Sequence, residues 1–367
     1  MIRLRRPDPD FPYRLALSFA SAVPPGTPRP PSVVAATGPY RIARLDPRRG
    51  VRLERNRFYR TWSALAKPDG YPDVIDVRLG VRAGKGIEAV RAGRTDVTYL
   101  STGRAELAKL RRRDPGLIRD TVPPATTWVS LNTRVAPFDR PDVRRAVALA
   151  IDRDAVVAAT GGENAARTTC HILPPTYPGY RAGCPSMDLA AARRLVADSG
   201  TRGARVVIRV SEGYTYLATP LARALRSLGY RTSVRVVPAK DYFLEISDSS
   251  VRAQAGPVGW RADYPSPSTF LGLFACSSFV PRSTSNLNVS GFCDPGADAL
   301  MRRATAAQAS DPRAADALWA RAERRVLDAA PAIPLTTDIH TDLVSERLRN
   351  DQYHPQWGLL FDQVWLR

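Results

Sequence analysis

The stretch from Val206 to Val237 constrains the fold more than any other. Val206-Val207-Ile208-Arg209-Val210 is a β-branched run of strand length, Tyr216 to Leu228 repeats apolar residues at helical spacing until Gly229, and Thr232 to Val237 returns to a strand of mixed faces. A strand, a helix and a second strand within so short a span make a βαβ unit, which places the chain in the α/β class. The same alternation recurs upstream. Tyr40 to Leu45 and Val51 to Arg55 flank Asp46-Pro47 and Gly50 as a hairpin, Val74 to Leu79 reads as a strand, 86 to 92 as a short helix, Asp96 to Leu100 as a strand and 103 to 112 as a helix. Trp128 to Asn132 alternates faces. Pro141, in a first helical turn, then opens one long helix whose apolar residues recur from Val143 to Ala155, with Gly161-Gly162 as its stop.

Further helices are expected between Asp188 as N-cap and Gly200, and after Asp294-Pro295 and Asp311-Pro312, each of which pairs a capping acid with a proline at the first helical position. The aromatic tail, Tyr353, Trp357, Phe361 and Trp365, has a four-residue spacing, but Pro355 and Gly358 interrupt any helix there, so strand and loop are predicted. Residues 22 to 39 carry so many Pro and Gly that they form an irregular connector. At 367 residues the chain is long enough for about two domains with their own cores, and no apolar run approaches the ~18 residues of a membrane span.

A net charge of +19, from 54 Lys and Arg against 35 Asp and Glu, raises the question of a polyanionic partner. Lys occurs only at 67, 85, 109 and 240, so Arg supplies nearly all the cations, as a GC-rich coding bias would produce. The Arg residues spread over the whole length and form no stripe with interleaved aromatics, so nucleic acid is not the expected partner. The four cysteines fall into two local pairs, Cys170 with Cys184 and Cys276 with Cys293, each bracketing a loop. Two disulfides are the natural reading, each worth roughly 3 kcal/mol in the chain-entropy model and pointing to an oxidising compartment. Zinc is the weaker alternative, since His171, His340 and His354 are scattered, and neither metal nor cofactor is expected.

Enzyme signatures are missing. Gly80 to Gly86 has one residue too few between its glycines for a phosphate-binding loop and Gly86 where Mg²⁺ needs a hydroxyl; GxSxG and HExxH do not occur. A non-catalytic binding module is the expectation.

Residues 37 to 59, TGPYRIARLDPRRGVRLERNRFY, resemble the corresponding segment of the family-5 extracellular solute-binding proteins, which include the oligopeptide and dipeptide receptors of ABC importers. The resemblance continues in order through Ile87 to Val97, Leu131-Asn132-Thr133 with Pro137-Phe138-Asp139 and Val143 to Ala146, Ala150-Ile151-Asp152-Arg153, Leu173-Pro174-Pro175, Gly259 to Pro265, and Ser290 to Asp294. It implies a two-lobed periplasmic-binding-protein-like fold of type II, peptide-binding class, truncated at the N-terminus. Residues 1–127 would be part of the large lobe, 128–338 the second α/β lobe, and 339–367 a C-terminal return to the first, with two crossings as hinge. Family members carry a signal or lipoprotein peptide and further strands before the point where this chain starts with MIRLRRPDPDFPY.

The resemblance also implies site residues. Asp263, the acid of the "GW..D" segment, would hold the ligand's α-ammonium, because a desolvated ammonium needs a fixed counter-charge; the competing reading is a turn or cap before Pro265 and Pro267. Trp260 would be an aromatic cleft wall, or core. Trp128 and Asn132 lie on the strand entering the second lobe, where cleft groups and buried groups share one strand, and Tyr264 adjoins Asp263. The implied function is extracytoplasmic binding of peptides or similar small solutes for import, with ABC permease subunits as partners and membrane association only through the permease or a lipid anchor. The alternatives are a ligand-sensing module of a larger regulatory protein and a non-functional truncated remnant.

Overall fold

The computed structural model describes residues 2–4, 7–27, 33–100, 104–177, 180 and 183–367. The chain divides into two compact units, one of Met1–Leu15 with Val122–Ile339 and one of Ala16–Thr121 with His340–Arg367. The boundaries therefore fall at 121/122 and 339/340, a few residues from the expected 127/128 and 338/339. Residues 1–15 belong with the second lobe rather than the first, so the chain crosses three times and not twice. The reason is Asp10, which is 1% exposed and accepts hydrogen bonds from Ser268 Oγ (2.5 Å) and Gln308 Nε2 (2.7 Å). Tyr13 also stacks on Tyr264 at 6.0 Å between centroids.

The larger unit is built on a six-stranded sheet of β1 (Ala125–Leu131), β2 (Ala166–Thr168), β3 (Arg205–Ser211), β4 (Arg231–Val237), β5 (Ala255–Arg261) and β6 (Ala332–Asp338), in the order β2-β6-β1-β5-β3-β4. β5 and β6 run antiparallel to β1, whereas β3 is parallel to both β4 and β5. Strand alternation splits the interior into two cores. Val129 and Leu131 of β1 pack with Ile208, Val143, Val147 and Leu221 on one face; Trp128 packs with Phe270, Trp319 and Val326 on the other. Helices thus cover both faces, which is the α/β layering that the βαβ unit required.

The predicted long helix is instead two, Pro141–Ala150 and Arg153–Thr160. Ile151 is extended and Asp152 accepts the amide of Ala155 at 2.9 Å, so the acid starts a new helix where apolar spacing alone ran on. The two arginines flanking this break are structural. Buried Arg144 donates to the carbonyls of Ala329 (2.8 Å) and Phe138 (2.8 Å), and Arg153 to those of Thr169 (3.2 Å) and Pro334 (3.1 Å). The other predicted caps are present: Asp188, Asp294 and Asp311 each accept first-turn amides, and Gly200 is left-handed.

The expected strand pairing of the smaller unit is also present. Tyr40–Asp46 pairs antiparallel with Gly50–Arg55, and the latter with Val74–Arg78. A second small sheet places His340–Val344 between Val97–Tyr99 and Ile118–Thr121, so the C-terminal return supplies a central strand. Ile87, Val90, Leu110, Leu117 and Leu343 form its core.

One of the two expected disulfides is formed. Cys276 and Cys293 are bonded, whereas Cys170 and Cys184 are thiols, so the expected second bridge is corrected. Cys170 Sγ lies 3.2 Å from the Gly183 carbonyl, and the Cys184 thiol hydrogen-bonds to it, which favours the Cys170 thiolate; the charges of His171 and Arg153 act in the same direction.

Candidate functional site

β5 organises the site. Beyond the single bridge Ala255↔Ile208, β3 and β5 no longer pair, and Tyr242 fills the space between them: its hydroxyl donates to the Pro257 carbonyl (2.8 Å) and lies 3.2 Å from that of Arg209. Pro257 is tolerated in an interior strand because that side of β5 carries no ladder. Gly256 is required there, since a Cβ would stand 2.6 Å from both the Arg209 carbonyl and the Tyr242 hydroxyl. The run of Gly and Pro in this strand is thus a packing solution, and it also hid the strand from any propensity-based reading.

A cavity of about 300 Å³ opens on the Trp128 face of the sheet. Trp128, Val258 and Trp260 form its floor, Phe243 and Phe274 its sides, and residues 284 to 290 its outer wall. Aromatic and aliphatic surfaces dominate the lining, the usual character of a small-ligand site. The outer wall lies inside the ring closed by Cys276–Cys293, and two buried asparagines hold its backbone. Asn288 donates to the carbonyls of Phe292 (2.8 Å) and Ala275 (3.2 Å), and Asn286 to that of Ser247 (3.1 Å). Their polar atoms are consumed by the wall. Trp260 Nε1 is different: it is buried without a hydrogen-bond partner among the described residues.

The five sequence-derived residues do not form one cluster. Trp128 and Trp260 both line the cavity, and Trp128 is simultaneously core, 2% exposed and 6.1 Å from the Phe274 ring. Asp263 is exposed in the turn after β5, and partial desolvation raises its carboxyl above the ordinary value. Tyr264 is buried, with its hydroxyl 3.3 Å from Arg14 Nε and its carbonyl accepting from Tyr177 (3.2 Å), so its ring is already occupied. Asn132 lies at the opposite end of the β1–β5 pair from Asp263, because Leu131 pairs with Ala255 and Ala125 with Arg261. Its amide donates to the Ala253 carbonyl (2.8 Å) and its oxygen accepts from Arg134 N (3.0 Å), so its side chain braces the backbone at that end. Phe243, Leu287 and the Asn286/Asn288 pair carried no motif; for Asn286, Leu287 and Asn288 the paired cysteines on either side were the sequence signal that this loop is held.

Comparison with known proteins accounts for this architecture. Over residues 1–280 the chain matches the model of the bacterial extracellular solute-binding proteins, family 5 (middle). It is 26% identical to a protein named probable di/tripeptide-binding protein 5 of Pseudomonas aeruginosa, over 97% of this chain and 68% of that one. It is 23% identical to the periplasmic oligopeptide-binding protein OppA of Haemophilus influenzae, over 84% and 57% respectively. Among solved structures, the clavulanic acid biosynthesis oligopeptide binding protein 2 superposes on all of this chain and 70% of its own length, with TM-score 0.87 and 26% identity. The Helicobacter pylori protein DppA, solved with the peptide STSA, covers 99% of this chain and 71% of its own, with TM-score 0.76 and 21% identity. The chain spans about half to two-thirds of the length of the curated relatives it matches. The fold is of the type II periplasmic-binding class. The chain belongs to the bacterial extracellular solute-binding proteins, family 5.

Proposed function

We propose that this chain is a solute receptor of an ABC importer that binds a short peptide or similar small solute and, after hinge closure, presents it to permease subunits outside the cytoplasm. The observation that carries the reading is the 300 Å³ cavity with Trp128 and Trp260 as its floor and a disulfide-closed outer wall. Such a site gives apolar side chains a preformed pocket without fixing their identity, while a strand edge takes the peptide main chain. Relatives named for di- and tripeptides and for oligopeptides support the same ligand class. In this reading Asp263, three residues beyond Trp260, holds the α-ammonium.

Isothermal titration of the chain with a mixture of di- and tripeptides tests the proposal. Saturable binding is expected, and Asp263→Ala should weaken it at least tenfold while leaving the unfolding midpoint nearly unchanged, because Asp263 is exposed and desolvation disfavours its charged form. Equal loss of affinity and stability would make Asp263 a turn residue instead.

A further inference from the structure

At the end of the sheet where β5 and β6 terminate, a second polar cluster stands on the face opposite the cavity. β6 runs in register with β1 through Pro334↔Trp128, then shifts so that Thr336 faces Thr127. This bulge changes the side to which the rest of β6 points. It turns Asp338 to the face of Thr127 and Gly259, away from Trp128. On the same face, the segment after β3 brings in Tyr214 and Tyr216, both half-buried, with ring centroids 6.3 Å apart at 54°. Tyr214 reaches across the sheet because residue 259 is glycine: a Cβ there would meet the tyrosine hydroxyl at 2.3 Å. Both phenols feel the charge of Asp338.

The carboxylate of Asp338 makes no hydrogen bond or ion pair among the described residues. The cation that acts on it is Arg261, which is exposed and forms no ion pair with it. The chain has 54 Lys and Arg against 35 acids, so this carboxylate lacks an ion-pair partner although cations are abundant. Burial also raises its carboxyl above the ordinary value. A half-buried carboxylate on the same face of the sheet as two neighbouring tyrosines can bind an organic cation, through charge and through the ring quadrupoles together.

We propose that Asp338, Tyr214 and Tyr216, at the same strand ends as Asp263 but distinct from it, form a subsite for a positively charged side chain of a peptide whose α-ammonium Asp263 holds, so that the receptor favours basic peptides. This inference rests on the peptide-binding reading above. The experiment uses the full chain and isothermal titration with tripeptides carrying lysine at each of the three positions, each matched to its norleucine counterpart, and with arginine matched to citrulline. In the unsubstituted chain one cationic peptide should bind at least tenfold more tightly than its neutral match. Asp338→Asn should bring that ratio to about one while leaving the neutral peptide's affinity in place; Asp338→Glu should retain part of the preference and Tyr216→Leu should reduce it. Neutral peptides that bind as well as cationic ones, or a preference that survives Asp338→Asn, would overturn the subsite and leave the peptide reading standing. If no tripeptide of any kind binds the unsubstituted chain, the peptide reading fails and the subsite fails with it.

Discussion

The cavity wall offers two perturbations of similar size that should act on different states of the protein. Replacing Cys276 and Cys293 by serine opens a ring whose ends are 17 positions apart. The chain-entropy model assigns such a ring about 3 kcal/mol, expressed in the unfolded ensemble. The folded wall is held separately by six hydrogen bonds of the Asn286 and Asn288 side chains. At about 1 kcal/mol net each, these are worth about 6 kcal/mol and outweigh the covalent link in the native state. Asn288→Ala removes three of them and leaves the carbonyl of Phe292 without its donor, at about 1 to 3 kcal/mol, while that of Ala275 keeps the Ser278 amide. Urea unfolding followed by tryptophan emission should therefore show both variants destabilised by roughly 3 kcal/mol. Ligand titration should separate them: the double serine variant keeps the affinity of the parent chain within about threefold, while Asn288→Ala loses at least tenfold. Trp128 and Trp260 line the same cavity, so only the asparagine variant should shift the native emission spectrum. If the serine variant loses affinity as severely as the asparagine variant, the disulfide and not the amide network shapes the wall, and the reasoning is wrong.

Three further outcomes follow from the same geometry. Tyr242→Phe removes a fully buried hydroxyl that serves two carbonyls in the gap between β3 and β5, so it should lower the urea-derived stability by about 1 to 3 kcal/mol; a neutral effect would mean those carbonyls are satisfied otherwise. Native protein should give two thiols to Ellman's reagent, with Cys170 reacting first, and oxidised glutathione should take the titre to zero by closing Cys170 to Cys184 within one chain; an unchanged titre or cross-linked dimers would contradict the pairing. Because the Asp338 pKa is raised by folding, the folded state binds the extra proton, so this group's stability contribution is present below the ordinary carboxylate pKa and lost as pH rises through the raised one. Asp338→Asn should accordingly be more stable than the parent at pH 7 in urea melts, with the difference shrinking as pH falls toward that range; a less stable variant at pH 7 would show that the carboxylate has a structural partner.

Local signals survived into the structure wherever the chain itself decides conformation. The acids before Pro295 and Pro312, the Asp188 cap and the hairpin around Asp46 are all where the sequence put them, since caps and turns satisfy backbone groups a few residues away. Family membership was legible for the same reason, through short ordered motifs. Asp152 shows the limit of periodicity: apolar spacing ran through it, and a single capping oxygen ended one helix and began another.

What only tertiary structure decided was which residues meet across the sheet. β5 was invisible in the sequence because Gly256, Pro257 and Gly259 are poor strand formers, and the two glycines are there because Tyr242 and Tyr214 occupy the space that side chains would fill. The same cause separated Asn132 from Asp263, since antiparallel register sends them to opposite ends of one pair, and a one-residue bulge turned Asp338 toward two tyrosines more than a hundred positions earlier. Sequence by itself determined the α/β layers, the caps and the family. Long-range packing determined the cavity, the state of each cysteine pair and the exposed or buried standing of each candidate residue, because those depend on contacts between segments that no local pattern encodes.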